Sequence, residues 1–140
     1  MKPRGKILII DGQGGGIGKS LVSAVKKSLP DAHITAVGTN TAATAVMLKA
    51  GADIAATGEN AVIVNCRKCD FIAGPIGIVI ADSLNGEITP AMALAIAQSD
   101  AKRILIPFSQ CDSEIIGVSN LSTGRLVEMA AEKILTECGK

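Results

Sequence analysis

The chain has 140 residues, 48% of them hydrophobic and 1% aromatic, and 14 Lys plus Arg against 13 Asp plus Glu give a net charge of +1. This length fits one domain, residues 1–140, with an aliphatic core and one site, and excludes separate cofactor and substrate domains. The balanced charge gives no basic face for a phosphate backbone, so we expect no nucleic-acid partner.

The first segments predict a strand, a glycine-rich turn and an amphipathic helix. Residues 6–11 contain a short, continuous apolar run rich in β-branched side chains, as in a fully buried strand. Residues 17–29 keep helical apolar spacing, Pro30 follows as a stop, and residues 33–37 predict a second strand. The helix positions predicted to face inward are Ile17, Leu21, Ala24, Val25 and Leu29.

A second helix and a third strand come next in the prediction. The polar residues 39–41 cap the helix, which ends at Gly51, and residues 53–56 form a short strand. Residues 59–69 are ambiguous, because their β-branched side chains favour a strand while a crossover between parallel strands requires a helix. We predict a helix there.

The next segment predicts a strand followed by two helices. Residues 71–73 form the fourth strand, which Gly74 closes, and Pro75 begins a helix that runs to about Ser83. Thr89 and Pro90 begin another helix in the same way. Its predicted buried stripe consists of Met92, Ala93, Ile96 and Ala97.

The last third of the chain completes the predicted sheet. Residues 103–108 form a fifth strand, residues 114–118 a short edge strand, and residues 123–137 a C-terminal helix. The inward positions of that helix are Leu126, Val127, Ala130, Ala131 and Ile134. This alternation predicts an α/β fold: a single doubly wound, Rossmann-like domain with a mostly parallel five- or six-stranded sheet and helices on both faces.

Small and hydrogen-bonding residues follow each predicted strand, at residues 12–18, 38–40, 57–60, 74–77 and 109–110. Because ligands of open parallel sheets bind at the carboxyl ends of the strands, this edge is the predicted ligand site.

The stretch ILIIDGQGGGIGKSL, residues 7–21, carries the most specific motif. A strict GxGxxG fails because Ile17 occupies its last position, whereas GxxxGxG, as in short-chain dehydrogenases, fits Gly12, Gly16 and Gly18. The free amides and dipole of the following helix would then face a phosphate. A glycine-rich turn that serves only tight packing of strand and helix remains an alternative.

A phosphate-loop motif is the competing interpretation of the same stretch. Gly18, Lys19 and Ser20 fit the end of GxxxxGK[ST], but the first glycine falls on Gln13. Such an enzyme also needs an aspartate that ends another strand to hold magnesium, and Asp82 is the candidate. Because the segment before Asp82 is predicted to be a helix, we prefer the dinucleotide-like interpretation.

Two departures limit the likeness to dehydrogenases. The chain has no tyrosine, which excludes the tyrosine mechanism of short-chain dehydrogenases. Gly38, Thr39 and Asn40 stand where an acidic or basic residue usually meets the ribose. Candidate cofactors are therefore NAD(P), a mononucleotide, coenzyme A or a small phosphorylated metabolite, with no metal.

Three segments resemble a small bacterial family known only as a domain of unknown function. They are GKILIIDGQGGGIGKSLV, GTNTAATAVMLKAGADIAATGENAVIVN and GPIGIVIADSLNGEITPAMALAIAQSDAKRILIP, and the likeness covers nearly the whole chain. The resemblance implies a Rossmann-like nucleotide-binding fold and no catalytic role for any residue.

The leading hypothesis is a nucleotide- or dinucleotide-binding protein. Its phosphates lie on Gly12, Gln13, Gly14, Gly15, Gly16, Ile17, Gly18 and Lys19, and the rest of the ligand on Thr39, Asn40, Gly58, Asn60 and Gly74. One alternative is an enzyme that acts on a phosphorylated metabolite, with Glu59 facing the glycine loop as acid or base. Another is a phosphate-loop NTPase or kinase that uses Gly18, Lys19 and Ser20.

Four other polar or sulfur-containing positions have predicted structural roles. Glu87, like Glu59, lies in a glycine-containing loop and is a candidate acid or base, but we favour a loop or cap role for it. Asp11 bonds either the amides of the glycine loop or the ligand. Cys66 and Cys69 have CxxC spacing but end a predicted helix, so we predict free thiols; the companions of a metal site, Cys111, Cys138 and His33, are scattered.

The remaining expectations concern location and assembly. The basic start precedes an apolar run of only residues 7–10, too short for a signal peptide or a membrane span. We predict a cytoplasmic protein without a membrane partner. So much apolar surface in a small domain also predicts a homo-oligomer.

Overall fold

The computed structural model describes residues 5–107, 113–118 and 120–139. Strands and helices alternate through this part of the chain. In chain order they are β1 (Lys6–Asp11), α1 (Gly16–Ser28), β2 (His33–Gly38), α2 (Thr41–Lys49), β3 (Ile54–Thr57), α3 (Glu59–Asn65), β4 (Phe71–Pro75), a 3-10 helix (Ile76–Val79), α4 (Pro90–Gln98), β5 (Lys102–Ile106) and α5 (Thr123–Cys138).

The five strands form one parallel sheet in the order β3-β2-β1-β4-β5. The central strand β1 pairs along its whole length with β2, from Lys6 opposite His33 to Asp11 opposite Gly38. The chain leaves β1 in one direction through β2 and β3 and returns to the other side of β1 at β4. The order therefore reverses between β1 and β4, where sheets of this kind bind ligands at the carboxyl ends of the strands.

Helices cover both faces of the sheet, which confirms the doubly wound α/β prediction. One apolar core joins the sheet to α1, α2 and α5, and a second joins it to α3 and α4. The inward stripe of α5 is confirmed at Val127, Ala130, Ala131 and Ile134, which are buried, while Leu126 is only partly buried against the same core. In α4 the predicted stripe is wrong at Ala97, which is exposed because the nine-residue helix buries only its Met92, Ala93 and Ile96 face.

Two predicted elements are wrong. Pro75 does not begin a helix to Ser83, because its extended backbone (φ −65°, ψ 150°) stays in β4 opposite Ile106 and only one 3-10 turn follows. No strand forms over residues 113–118, so the sheet has five strands in the part of the chain that the structure describes. The predicted residues Phe108, Ser109 and Gln110 lie outside the described part of the chain.

The segment between the 3-10 helix and α4 has an unusual backbone. Asp82, Leu84 and Asn85 have φ of 67°, 55° and 56°, and Gly86 has φ of 86°. Three side-chain-bearing residues in the left-handed region within four positions make a tight turn that costs conformational energy. Hydrogen bonds from the Asp82 amide to the Ile88 carbonyl (2.7 Å) and from the Gly86 amide to the Asp82 carbonyl (3.2 Å) hold the turn closed.

The helices that the structure describes are all too short or too polar to pass through a bilayer.

Candidate functional site

The glycine loop, defined here as residues 12–18, connects β1 to α1 at the switch point of the sheet. The Gly15 amide donates to the Gly12 carbonyl at 2.9 Å and closes the turn, and Gly15 is the N-cap of α1. Gly15 has φ of 73°, and a Cβ there would lie 2.9 Å from the Ala43 Cα. Position 15 therefore requires glycine for both its backbone conformation and its contact with α2.

Two other glycines allow close packing. A Cβ on Gly18 would lie 2.5 Å from the Met47 Sδ and 2.8 Å from the Asp11 Cβ, so Gly18 lets α1 approach β1 and α2. A Cβ on Gly12 would lie 2.5 Å from the Thr39 Oγ1. These contacts show that Gly12 and Gly18, two of the three glycines in the GxxxGxG pattern, allow neighbouring segments to pack closely.

Gly14 and Gly16 differ from these glycines because nothing lies within 4 Å of a Cβ built on either. Both border a cavity of about 300 Å³ outside the loop. The residues that line it are Asp11, Gly12, Gln13, Gly14, Gly15, Gly16, Ile17, Pro75, Leu84 and Thr123. Within the described part of the chain, neither the Gly14 nor the Gly16 amide donates a hydrogen bond.

The cavity lies between two helix N-termini. Gly16 is the first residue of α1, and Thr123 is the first residue of α5, whose N-cap Ser122 accepts a hydrogen bond from the Arg125 amide. The N-terminal end of each helix carries a partial positive charge and amides without an intrahelical partner. Both ends therefore favour negative charge in the cavity.

The Asp11 carboxylate accepts hydrogen bonds from the amides of the glycine loop, which is one of the two roles that the sequence left open for it. One carboxylate oxygen accepts from the Gly12 amide and the other from the Gly18 amide, both at 2.7 Å. Burial is the largest influence on Asp11 and raises its pKa, while the hydrogen bonds from Gly18 and Gly12 oppose that rise and the nearby charge of Glu87 adds to it. These two amides are not available to a ligand.

Glu87 also lies against the glycine loop, although we favoured a loop or cap role over an acid or base role for it. Its Oε1 accepts from the Gln13 amide at 2.9 Å, the Thr39 hydroxyl at 2.5 Å and the Asn40 side-chain amide at 2.8 Å. The Thr39 hydrogen bond is the largest influence on Glu87 and lowers its pKa, assisted by the bonds from Gln13 and Asn40 and opposed by burial. Asn40 has a second role, because its Oδ1 accepts from the Ala43 amide and caps α2.

The carboxylate predicted to face the glycine loop, Glu59, has a different contact. Glu59 begins α3 and accepts a hydrogen bond from the Thr89 hydroxyl at 2.5 Å, so it joins the starts of α3 and α4. The carboxylate that reaches the glycine loop is Glu87 instead. Asp82, the candidate magnesium ligand, lies in an exposed turn and not at the end of a strand.

The other predicted binding residues are spread along the sheet edge. Gly58 and Asn60 follow the edge strand β3, and the Gly58 amide donates to the Gly38 carbonyl at 2.9 Å. Gly74 lies inside β4, where its missing side chain lets the strand approach the Ile10 carbonyl. Lys19 is exposed on the first turn of α1. None of these four residues lines the 300 Å³ cavity.

Three residues of the site lacked a decisive signal in the sequence. Thr123 follows Ser122, a cap signal for α5, but nothing in the sequence places that helix beside α1. Leu84 and Glu87 reach the glycine loop through the left-handed turn before α4, and 48 residues separate Glu87 from its partner Thr39. Contacts of this kind depend on the path of a loop, which residue spacing does not encode.

The pair Cys66 and Cys69 lies away from this site. Both carry free thiols, as predicted. Burial raises the pKa of Cys66 to about 11 and, with the nearby Cys66 and Asp70, raises the pKa of Cys69 to about 12. Both line a larger cavity of about 510 Å³ between α3 and α4. Ala101, just before β5, also lines it, so this cavity lies at the amino ends of the strands, opposite the candidate site. In residues 5–107, 113–118 and 120–139, no group of three or more His, Cys, Asp or Glu side chains is placed to hold a metal ion.

Comparison with known proteins identifies the family. Residues 6–139 match the family described as Domain of unknown function (DUF3842), so the chain belongs to that family. No curated protein matches the sequence. The fold is similar to that of a dodecameric FMN-dependent Ubix-like decarboxylase from Escherichia coli O157:H7, at 18% identity and a TM-score of 0.45, over 95% of this chain and 76% of that one. At this TM-score the likeness carries no information about function.

Proposed function

We propose that this member of the DUF3842 family binds a nucleotide or dinucleotide, with its phosphates in the 300 Å³ cavity beside the glycine loop. The observation that carries the proposal is the pair of open glycines, Gly14 and Gly16, which face this cavity between the N-termini of α1 and α5. Amides without side chains around them allow close approach of a phosphate, and two helix dipoles favour its charge.

The hydrogen bonds already made by the other amides of the glycine loop limit where a phosphate could bind. Asp11 occupies the Gly12 and Gly18 amides, and Glu87 occupies the Gln13 amide. A phosphate would therefore lie on the outer side of the loop, against Gly14 and Gly16, rather than over the whole loop. Thr123 adds a hydroxyl and the start of α5 to the same side.

The contacts favour binding over the two catalytic alternatives. Glu59 is bonded to Thr89 and does not line the cavity, so it has no contact that would make it an acid or base there. A phosphate-loop enzyme would need a strand that ends at Asp82, whereas β4 ends at Pro75 and the 3-10 helix Ile76–Val79 follows it. NAD(P) and other nucleotides therefore remain the candidate ligands, bound without a metal.

Thermal shift of the whole chain against single nucleotides tests this proposal. We expect at least one of ADP, NAD, NADP, FMN or coenzyme A to raise the melting temperature both with and without Mg²⁺. The size of the increase should grow with the ratio of ligand concentration to Kd. Stabilisation by ATP only when Mg²⁺ is present would support the phosphate-loop alternative instead. No shift with any of these ligands would refute the proposal.

A matched pair of variants tests the location. Gly16→Val adds a side chain to the lining of the cavity, and no atom lies within 4 Å of its Cβ position, so the variant should fold normally and bind at least about tenfold more weakly. Gly139→Val places the same side chain at the exposed end of α5, where φ is −77°, and should bind like the original chain. Equal binding by both variants would show that the ligand does not bind beside Gly16.

We also propose that the chain forms a homo-oligomer. Several large apolar side chains are exposed, among them Leu94 at 56%, Ile54 at 53% and Leu48 at 49%. Exposed apolar surface of this kind is covered in many small proteins by a second copy. Light scattering after size exclusion should give a multiple of 14.2 kDa, and a monomer at micromolar concentration would contradict this proposal.

A further inference from the structure

The sheet edge lacks a carboxylate at the position where a ribose is usually bound. Nucleotide-binding sheets of this type place Asp or Glu after the second strand, where it accepts hydrogen bonds from the ribose hydroxyls. Here Gly38 ends β2, and Thr39 and Asn40 follow it. The structure brings Glu87 to that place from the segment before α4, with the Thr39 hydroxyl and the Asn40 amide both bonded to it.

The Glu87 carboxylate is fixed through one oxygen and open at the other. Its Oε1 accepts three hydrogen bonds, from Thr39, Asn40 and the Gln13 amide. Its Oε2 accepts none from the residues that the structure describes, and the side chain is partly exposed. A carboxylate held in this way presents an acceptor of fixed position and negative charge to a ligand.

Glu87 is also adjacent to the phosphate cavity. Gln13 lines that cavity and donates its amide to Glu87, and Leu84, three residues before Glu87, lines it as well. Glu87 therefore contacts the glycine loop at Gln13, the residue before Gly14, through its Oε1. Glu87 does not itself line the cavity, so a nucleotide with its phosphate against Gly14 and Gly16 would bring its sugar to Glu87 by extending past Gln13 toward the end of β2.

We propose that Glu87 determines specificity by accepting hydrogen bonds from the free 2′,3′-diol of a ribose. This inference rests on the proposed function and deepens it, because it names the ligand class as ribonucleotides with an unmodified diol. A 2′-phosphate would place negative charge against the carboxylate, and a 2′-deoxy sugar would lose a donor. NAD is then preferred over NADP, and each ribonucleotide over its 2′-deoxy counterpart.

Binding of ligand pairs to the unmodified chain is the first test, measured by calorimetry at one ionic strength. We expect NAD to bind at least about tenfold more tightly than NADP, and ADP about tenfold more tightly than 2′-deoxy-ADP. These comparisons need no variant. Equal affinities within each pair, with clear binding of all four ligands, would overturn the role of Glu87 and leave the nucleotide site in place. Absence of binding by all four, together with FMN and coenzyme A, would overturn both proposals.

A substitution separates specificity from loop support. Glu87→Gln keeps an oxygen for Thr39, Asn40 and the Gln13 amide but removes the charge, so the preference for NAD over NADP should fall to about threefold or less. Glu128→Gln removes a charge from the exposed side of α5 and should leave the preference unchanged. Tighter binding of both ligands to Glu87→Gln would overturn the proposal, because Glu87 would then be an internal competitor for the ligand's place.

Discussion

Gly18 gives the sharpest test of how the glycine loop is built. A Cβ on this residue would lie 2.5 Å from the Met47 Sδ and 3.1 Å from the Met47 Cγ. Met47 is fully buried, so its side chain has little room to move away. The Asp11 Cβ at 2.8 Å belongs to a residue that two hydrogen bonds hold in place. The added methyl group therefore overpacks the contact between α1, β1 and α2.

The magnitude follows from comparison with Gly16. Overpacking of a tight core costs about 1–3 kcal/mol, while alanine is favoured over glycine in a helix by about 0.5–1 kcal/mol. Gly16→Ala gains the helix term and meets no atom within 4 Å. Because both residues lie in the first turn of α1, the difference between the two variants isolates the packing cost. We expect Gly18→Ala to be less stable than Gly16→Ala by about 2 kcal/mol.

Thermal and urea unfolding followed by circular dichroism measure this difference. For a domain of this size, about 2 kcal/mol corresponds to a difference of about 8 °C in Tm. In a Met47→Ala background, the two Met47 atoms that crowd position 18 are gone, so the cost of Gly18→Ala should fall by about half. Equal stability of the two glycine variants in the original background would refute the packing explanation.

Other predictions concern the carboxylates and thiols. Asp11→Asn places an N–H group against a backbone amide that needs an acceptor, so the free energy of unfolding should fall by about 1–3 kcal/mol. Urea titrations measure this change, and an unchanged free energy would contradict the buried hydrogen bonds. The lowered pKa of Glu87 gives stability that is full above the ordinary carboxyl pKa and is lost as pH falls through the lowered value. The stability difference between the original chain and Glu87→Gln should therefore shrink from about neutral pH to about pH 3, and a difference independent of pH would argue against the Thr39 contact. The pKa values of Cys66 and Cys69 are raised to about 11 and about 12, so at neutral pH iodoacetamide should alkylate these thiols more slowly than in an unfolded control. Peptide mass spectrometry locates the alkylated cysteines. Equally fast alkylation would show that these thiols are accessible and ionised.

The sequence by itself determined the order of the five strands and of α1 to α5, because this order depends on local patterns, but it also predicted a helix from Pro75 and a strand over residues 114–118 that do not form. The continuous apolar run of residues 7–10 made β1 evident, and the apolar spacing of α1 and α5 set their buried faces. The caps Asn40 and Thr89 were recognisable because a side-chain oxygen at a helix start bonds an amide two or three residues later. The same local logic failed at Pro75, whose fixed φ suits either a strand end or a helix start.

The tertiary structure alone decided which groups share the site. The sequence marked the glycine loop, but it did not distinguish Gly18, which packs against Met47, from Gly16, which borders the cavity. It favoured Glu59 because that residue directly follows a strand, whereas the left-handed turn before α4 carries Glu87 to the loop. Hydrogen bonds between residues 48 and 74 positions apart arise from packing of distant segments, and no local pattern records them.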